Sequence, residues 1–246
     1  MRRSLCLLAT LAAFAAFVPA LAPAADKDAP IKVLFVLNGH DPKPKAPILE
    51  KVLQDVGGFE VTKLENVGKL ADLKRADVDV LLCYGGPAAN ELQERAIEKF
   101  LEDGGGIVAL HHSSANPSKA WIRTIGGSFA GHIAGLHKLN IVLTDVKHPV
   151  TAGVEPFEII DEEYKHKLAD VDRTVLAKFK ERPPGSDQKA NMDILWTREV
   201  GKGRVVYTGL GHGKEAFENP AWQKITLQGI CWAAGKPREI KLPAAK

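Results

Sequence analysis

The sequence has few cysteines and almost no excess of one charge. Three cysteines occur among 246 residues, which excludes a small disulfide-rich scaffold. Two of them, Cys83 and Cys231, lie in apolar surroundings typical of buried thiols. Without Arg2 and Arg3, the 33 lysines and arginines fall to 31, against 30 acidic residues, and no basic block occurs. Such a near-neutral chain does not favour nucleic acid as a partner.

Several motifs of nucleotide and acyl-transfer chemistry are also missing. The chain has no G-x-x-x-x-G-K-[ST] phosphate loop, and GGPAAN (85–90) lacks the glycine spacing of a dinucleotide site. The nucleophile elbow G-x-S-x-G and its cysteine equivalent are absent, and the corresponding turn is ALHHSSA (109–115). Ser113 or Ser114 beside a histidine remains a weaker alternative nucleophile, because neither serine has flanking glycines.

The amino terminus has the composition of an export signal. A basic start, an apolar stretch and the small-residue cleavage site Ala22-Pro23-Ala24 indicate a secretory signal peptide over residues 1–24. The charged residues that follow are not a stop-transfer sequence, so we expect no stable membrane anchor. A single anchoring helix is the alternative. We therefore expect an exported bacterial protein, either periplasmic or secreted.

The remaining sequence predicts one α/β domain over residues 31–235 and a C-terminal tail over 236–246. Up to residue 110, apolar runs alternate with helical periodicity, which is typical of a parallel sheet covered on both faces. The predicted strands of this part are 31–37, 59–64, 78–84 and 106–110, and the predicted helices are 46–56 and 88–105. After residue 125 strand-like segments predominate and predict an antiparallel extension, before a core strand (203–211) and a closing helix (220–235).

Chemically versatile residues follow several of the predicted strands. In open α/β sheets, ligands bind outside the carboxyl ends of the strands. Five segments bring such residues to this edge: Asn38 and His40; Gly85 and Gly86; His111 and Ser113; Asp161, Glu162 and Tyr164; and His212. Any one of them could simply end its strand, but five together predict a site. Because neighbouring side chains of a strand point to opposite faces, we expect His111 to face the site and His112 to turn away.

Further histidines and aromatic residues lie elsewhere along the chain. GGSFAGH (126–132) adds His132 in what we interpret as a small-residue loop near the fourth strand. Three histidines without such placement are expected at the surface: His137, His148 and His166. Three aromatic residues could stack on a sugar ring or belong to the core: Trp121, Tyr164 and Trp196.

The candidate residues support two kinds of chemistry. Imidazole and carboxylate groups can bind a divalent metal such as zinc, manganese or iron, and the candidate ligands are His40, His111, His132, His212 and Glu162. No short-spaced pair such as H-x-H or H-E-x-x-H supports a metal. The same groups can act as general acid and base, because imidazole titrates near neutrality. The sequence favours metal-free chemistry and leaves the cofactor open.

Four segments resemble the trehalose-utilisation (ThuA-like) family: GGGIVALHHSSA (104–115), GGSFAGH (126–132), IIDEEY (159–164) and the block from ILWTREV to ICWAAG (194–235). The likeness covers nearly all of residues 31–235. It implies a flavodoxin-like, doubly wound, mostly parallel sheet of the class I glutamine amidotransferase type. Those amidotransferases carry a nucleophilic cysteine where this chain has a histidine, so amide hydrolysis is not expected.

The resemblance also implies a role in the use of trehalose and related disaccharides through 3-keto sugar intermediates. The family's histidines map onto His111, His132 and His212, and its acidic-tyrosine motif maps onto Asp161, Glu162 and Tyr164. The short segment after His111 (113–127) predicts a reduced lid and a different substrate preference.

We therefore expect an exported enzyme that catalyses elimination, isomerisation or hydrolysis of a small carbohydrate, a (3-keto) glycoside or disaccharide. Glu162 or His111 would be the base, and His212 or His132 the acid. The residues expected to bind substrate are His40, Asn38, Gly85, Gly86, Ser113, Asp161, Tyr164 and Trp196. The alternatives are a non-catalytic sugar- or partner-binding module of the cell envelope, and a metal-dependent hydrolase.

Overall fold

The computed structural model describes residues 29–39, 41–87 and 90–243. The predicted signal peptide, His40 and residues 244–246 therefore lie outside the described residues. The strands are β1 (Ile31–Leu37), β2 (Phe59–Leu64), β3 (Val80–Tyr84), β4 (Gly106–Leu110), β5 (Gly127–Gly131), β6 (His137–Leu143), β7 (Phe157–Asp161), β8 (Lys165–Leu168), β9 (Thr174–Phe179), β10 (Asp193–Val200) and β11 (Gly203–Thr208). The α-helices are α1 (Ala46–Val56), α2 (Glu91–Glu102), α3 (Lys119–Ile125), α4 (Lys214–Phe217) and α5 (Pro220–Ala233), and 3₁₀ turns span Val67–Asp72 and His111–Ala115.

A nine-stranded sheet forms the framework, in the order β2-β1-β3-β4-β11-β10-β9-β6-β7. The first five strands in this order are parallel to one another. The last four continue the sheet in antiparallel fashion. The order 2-1-3-4 followed by one more parallel strand is that of flavodoxin-like sheets, in which ligands bind where the strand order reverses. The predicted α/β fold with an antiparallel extension in its C-terminal half is confirmed.

Local sequence explains where the elements begin and end. Strands β1, β2 and β4 and helix α1 have the predicted bounds, because their apolar periodicity is uninterrupted. Helix α2 is shorter than predicted. Asn90 caps it by accepting hydrogen bonds from the backbone N–H groups of Leu92 and Gln93, and Gly104, with a φ of +86°, follows its end.

The segment GGSFAGH was wrongly interpreted as a loop. It forms strand β5, which pairs antiparallel with β8 in a separate two-stranded sheet. Helix α3 before it was also missed, although Ser118 caps it by accepting from the backbone N–H of Trp121. Strand β5 is short and rich in small residues, and helix α3 has seven residues with a single buried pair, Trp121 and Ile125, so neither is long enough to show a recognisable apolar period.

The sheet separates two apolar clusters. Helices α1 and α5 cover one face, where the buried residues include Phe35, Leu49 and Cys231. Helices α2 and α3 cover the other face, where they include Cys83 and Phe100. The two cysteines are free and buried on opposite faces, which confirms the prediction of buried thiols. No helix among residues 29–39, 41–87 and 90–243 combines the length and apolarity that crossing a bilayer requires.

Candidate active site

The carboxyl ends of four parallel strands lie side by side. Leu37 of β1 pairs with Tyr84 of β3, Tyr84 pairs with Leu110 of β4, and Leu110 pairs with Thr208 of β11. The segments that leave these strands therefore meet at one edge of the sheet. His111 follows β4 directly, and His212 lies in the loop after β11.

Asp161, at the end of β7, connects its own segment to this edge. Its Oδ2 accepts a hydrogen bond from the Gly211 backbone N–H at 2.6 Å, and its Oδ1 accepts from those of His212 and Glu162, both at 2.9 Å. Burial raises the pKa of Asp161, and the charge of His111 and these three hydrogen bonds oppose the increase. Asp161 is fully buried, so its side chain offers no surface for the predicted contact with substrate, and its hydrogen bonds position Glu162 and His212.

His111 is held in one orientation by its surroundings. Its φ of +37° lies in the left-handed region, which a non-glycine residue adopts only when neighbouring contacts enforce it. The ring stacks on Tyr164, with centroids 3.8 Å apart. Nδ1 lies 2.7 Å from the Gly209 carbonyl oxygen, an acceptor, so Nδ1 carries the proton. In the neutral imidazole, Nε2 therefore presents its lone pair toward Glu162.

Glu162 stands at the centre of three imidazoles. Its Oε2 lies 3.3 Å from Nε2 of His111 and 3.0 Å from Nδ1 of His212, while Oε1 lies 3.8 Å from Nδ1 of His132. We call these four residues the Glu162 cluster. Burial by itself would raise the pKa of Glu162, but the contact with His111 and the charges of His212, His111 and His132 outweigh it and lower that pKa. Glu162 is therefore a carboxylate at neutral pH.

The members of the cluster differ in their access to solvent. The side chain of His111 is 1% exposed and that of Glu162 is 12% exposed, whereas His132 and His212 are about one third exposed. A small molecule can therefore reach Glu162, His132 and His212, but it meets His111 only through Glu162. The structure thus places His111 in a supporting position and not in that of a base that touches substrate.

Lys45 is a charged residue at this edge that sequence reasoning missed. It is buried, and its Nζ donates hydrogen bonds to the Tyr84 hydroxyl and to the His212 carbonyl oxygen, both at 2.8 Å. Burial lowers the pKa of Lys45, and the negative charges of Asp41, Asp161 and Glu162 oppose that effect. In the sequence, Lys45 stands in KPKAP before a helix and resembles any exposed lysine. Its partners are distant along the chain, so no local signal indicates them.

Two tryptophans considered for sugar stacking belong to the core. Trp196 is 1% exposed, donates its indole N–H to the Ile125 carbonyl oxygen at 2.7 Å and packs on the ring of Tyr207. Trp121 is equally buried and donates to the Ser113 carbonyl oxygen. Trp196 therefore offers no open ring face for the predicted contact with substrate.

Ser113 also has a structural position. Its hydroxyl donates to the Cys83 carbonyl oxygen at 2.7 Å and accepts from the Gly85 backbone N–H at 3.2 Å. The side chain is fully buried, so it links the ends of β3 and β4 beneath the site. Ser113 therefore offers no exposed atom for the predicted contact with substrate, and the same hydrogen bonds disfavour it as a nucleophile.

The glycines after β3 shape the turn where β1 and β3 end. Gly85 has a φ of +120°, and a Cβ on it would lie 2.5 Å from the backbone nitrogen of Gly39. A Cβ on Gly86 would overlap the side chain of Asn116. Asn38 is exposed and donates from Nδ2 to the Gly86 carbonyl oxygen at 2.6 Å. Asn38 is therefore a predicted substrate-binding residue that solvent can reach at this turn.

His166 was predicted at the surface, and that prediction is wrong. It is 7% exposed, and its Nε2 lies 2.9 Å from the Tyr207 hydroxyl. Tyr207 donates to Ser114 at 2.8 Å, and Ser114 donates to the His111 carbonyl oxygen at 3.1 Å, so this buried chain supports the backbone of His111. Burial, and secondly the charge of His111, lower the pKa of His166 to about 3. In the strand Lys165-His166-Lys167, alternation places His166 on the opposite face from the two lysines. This alternation is the sequence pattern that indicates a buried His166.

Comparisons with known proteins agree with this architecture. A family model for trehalose utilisation (ThuA) matches residues 32–233. The crystal structure of a ThuA-like protein from Parabacteroides merdae is similar, with a TM-score of 0.75 and 20% identity over 87% of this chain and 94% of that one. A ThuA-like protein from Bacteroides uniformis gives a TM-score of 0.68 and 21% identity over 85% and 95%.

Part of a larger enzyme shares the fold as well. A β-galactosidase from Rahnella sp. R3 gives a TM-score of 0.59 and 14% identity over 85% of this chain and 32% of that one. No curated protein matches the sequence. At these identities, the likeness to the solved structures shows a common fold.

Proposed function

The chain belongs to the ThuA (trehalose utilisation) family, and from that premise we propose that it is an enzyme that transfers protons on a carbonyl-bearing carbohydrate. The substrate class that we propose is a 3-keto glycoside, a sugar glycoside with a ketone at carbon 3. The proposed reaction is elimination of the glycosidic group, and no covalent enzyme intermediate is required.

The observation that carries this proposal is the Glu162 cluster. Glu162 is ionised at neutral pH and can therefore accept a proton, and partly exposed imidazoles lie 3.0 Å and 3.8 Å from its two oxygens. This combination suits general acid and base catalysis. Nucleophilic catalysis has less support, because Ser113 is engaged with backbone groups and burial raises the pKa of the Cys83 thiol.

The proposed chemistry begins with the acidity of a C–H bond next to a ketone. Glu162 takes the proton from carbon 2, and the electron pair is delocalised onto the ketone oxygen as an enolate. The enolate then forms the double bond between carbons 1 and 2 while the glycosidic C–O bond breaks. The departing oxygen takes a proton from His132, so the products are an alcohol and an unsaturated keto sugar. Return of the proton from Glu162 to His132 through solvent restores the enzyme.

Glu162 and His132 are assigned these roles because of their access and their hydrogen bonds. Nδ1 of His132 lies 2.7 Å from the Ile133 carbonyl oxygen, which accepts a hydrogen bond from the Nδ1–H group. Nε2 is then the nitrogen that exchanges a proton with a ligand. His111 is too buried to touch a substrate and acts by orienting Glu162.

Solvent exchange separates the two proposed steps. We expect the protein in D₂O to replace hydrogen by deuterium at carbon 2 of a methyl 3-keto glucoside and to release methanol, both followed by NMR. Glu162→Gln should slow both processes by about 100-fold or more, because a positioned base contributes on that order. His132→Asn should slow methanol release more than exchange.

His148→Asn is the matched control. His148 packs on Trp232 near the amino end of the sheet and should leave both rates unchanged. Exchange that persists in Glu162→Gln would refute the assignment of the base. Absence of exchange and of methanol release with the wild-type protein would refute the proposed substrate class.

The alternative of a non-catalytic sugar-binding module has weaker support. It was expected to rely on Trp196 or Tyr164 as a stacking surface, but Trp196 is 1% exposed and Tyr164 is 4% exposed. The ring of Tyr164 is also covered by His111 on one side.

A further inference from the structure

Three members of the Glu162 cluster have the spacing of a metal site. One ligand atom from each of His111, Glu162 and His212 lies within 4.8 Å of the other two. The distances from Glu162 Oε2 are 3.3 Å to His111 Nε2 and 3.0 Å to His212 Nδ1. Around a tetrahedral zinc ion with bonds of about 2.0–2.1 Å, neighbouring ligand atoms lie about 3.3 Å apart. We propose that these three residues bind a divalent metal ion, with zinc as the best fit.

His111 is oriented as a metal ligand before any metal arrives. Its Nδ1–H donates to the Gly209 carbonyl oxygen, which fixes the tautomer and directs the Nε2 lone pair toward the other two residues. Metal-binding histidines usually make such a second hydrogen bond through the other ring nitrogen. Nε2 is buried 3.3 Å from Glu162 Oε2, and among the described residues it makes no contact that meets hydrogen-bond geometry. A metal ion would satisfy this nitrogen, which is otherwise costly to bury.

The two other ligands are also fixed from outside the cluster. Asp161 binds the backbone N–H groups of both Glu162 and His212, and Lys45 binds the His212 carbonyl oxygen. The loops that carry the ligands are thus tied together whether or not an ion is bound. Such preorganisation reduces the entropy lost when the ion binds.

The donor set determines which ions fit. Two imidazole nitrogens and one carboxylate oxygen suit zinc and other first-row transition metals better than magnesium or calcium, which prefer oxygen ligands. Three protein ligands leave a fourth position for water or for an oxygen of a substrate, as in catalytic zinc sites. Sequence spacing favoured metal-free chemistry, whereas the spacing of the ligand atoms favours a metal.

This inference concerns the same site as the proposed function but does not depend on the proposed substrate. Oε2 is the oxygen directed at the two imidazoles, and Oε1 is directed at His132. The metal and the proton transfer therefore use different oxygens of Glu162. A bound ion would supply polarisation of the substrate ketone, while Glu162 and His132 would move the protons.

Metal titration tests the inference directly. The full-length protein, without a histidine tag and after removal of metal with a chelator, is titrated with ZnCl₂ in a calorimeter and with CoCl₂ in an absorption spectrometer. We expect one equivalent of zinc to bind, and the cobalt form to show the intense visible bands of a tetrahedral site. His212→Ala and Glu162→Gln should each weaken zinc binding by about 100-fold or more.

Two controls share the residue type of the ligands. His132→Ala removes an imidazole that is in the cluster but outside the proposed ligand set, and His148→Ala removes one outside the cluster. Both should keep one equivalent of zinc with an affinity within a few-fold of the wild type. Circular dichroism establishes that each variant is folded. His111→Ala removes the third proposed ligand, but this side chain is buried and its loss can prevent folding. His212 is one third exposed, so His212→Ala still tests the metal site if His111→Ala does not fold.

The inference is overturned if the wild-type protein binds less than one equivalent. It is also overturned if His212→Ala and Glu162→Gln bind zinc as the wild type does, or if His132→Ala abolishes binding. Loss of the metal site with deuterium exchange intact would leave the proposed function standing. Zinc binding without turnover of 3-keto glycosides would contradict the proposed function and leave the metal site standing.

Discussion

Replacement of Ser113 by alanine tests whether this serine is structural or catalytic. The hydroxyl of Ser113 is fully buried, donates to the Cys83 carbonyl oxygen and accepts from the Gly85 backbone N–H. Alanine removes a single oxygen atom, so the change creates only a small cavity. The backbone N–H of Gly85, which is buried, loses this acceptor. The expected effect is therefore a loss of stability with the site chemistry retained.

The magnitude follows from the two hydrogen bonds. Each neutral hydrogen bond contributes about 1 kcal/mol, and a buried donor without an acceptor costs about 1–3 kcal/mol. We expect Ser113→Ala to lower the free energy of unfolding by about 1–3 kcal/mol. For a chain of this size, about 1 kcal/mol corresponds to roughly 2–4 °C, so the melting temperature should fall by roughly 2–12 °C.

Urea unfolding followed by circular dichroism measures the change in stability, with Ser128→Ala on the half-buried strand β5 as a control of the same chemistry. Deuterium exchange at carbon 2 of the 3-keto glucoside measures the chemistry. A variant as stable as the wild type would refute the structural role. A stable variant that also loses exchange would indicate that Ser113 takes part in the reaction.

Two further predictions concern the turn after β3 and the buried histidine. Gly85→Ala should lower the free energy of unfolding, measured with urea, more than Gly135→Ala does. Both glycines have a positive φ, so both replacements strain the backbone. The Cβ at position 85 would also lie 2.5 Å from the Gly39 nitrogen, whereas the Cβ at position 135 meets nothing within 4 Å. Equal losses would contradict the packing argument. Because the pKa of His166 is lowered from 6.5 to about 3, its contribution to stability is fully present above pH 6.5 and is lost as the pH falls toward 3. Between about pH 6.5 and 4, the free energy of unfolding should therefore fall by up to about 3 kcal/mol less in His166→Asn than in the wild type, both in metal-free buffer. The same dependence of this free energy on pH in both proteins would contradict a neutral buried His166.

Apolar periodicity made much of the framework predictable. The run IKVLFVL contains β-branched and apolar residues on both sides of the strand, which only a strand buried on both faces tolerates, and β1 has these bounds. Helix α1 likewise follows from the spacing of Leu49 and Leu53. Strand β5 was not predictable in this way, because Gly127 and Ser128 carry no apolar alternation and its pairing with β8 depends on a segment nearly forty residues away.

The chemical types at the site were predictable, whereas their roles were not. His111, Glu162, His132 and His212 were selected because they follow strands or match family motifs, and the structure brings them together. Trp196 was selected because an aromatic ring can stack on a sugar, with the core as the alternative, and its strand lies between two neighbours and beneath α3. The exposure of a side chain on a strand depends on which helix packs over that face of the sheet, and the sequence pattern of the strand does not specify that helix.

The sequence by itself determined most of the strands, helices α1, α2 and α5, and the residues that end the strands, because periodicity and capping act over a few neighbouring residues. The tertiary structure alone decided which atoms meet. Glu162 follows the last strand in the sheet order, yet its carboxylate reaches His111 after β4, because Asp161 binds the loop after β11. The nitrogen of His111 that faces Glu162 is set by a carbonyl oxygen 98 positions away. Contacts of this kind depend on how distant segments cross, and local sequence does not encode that geometry.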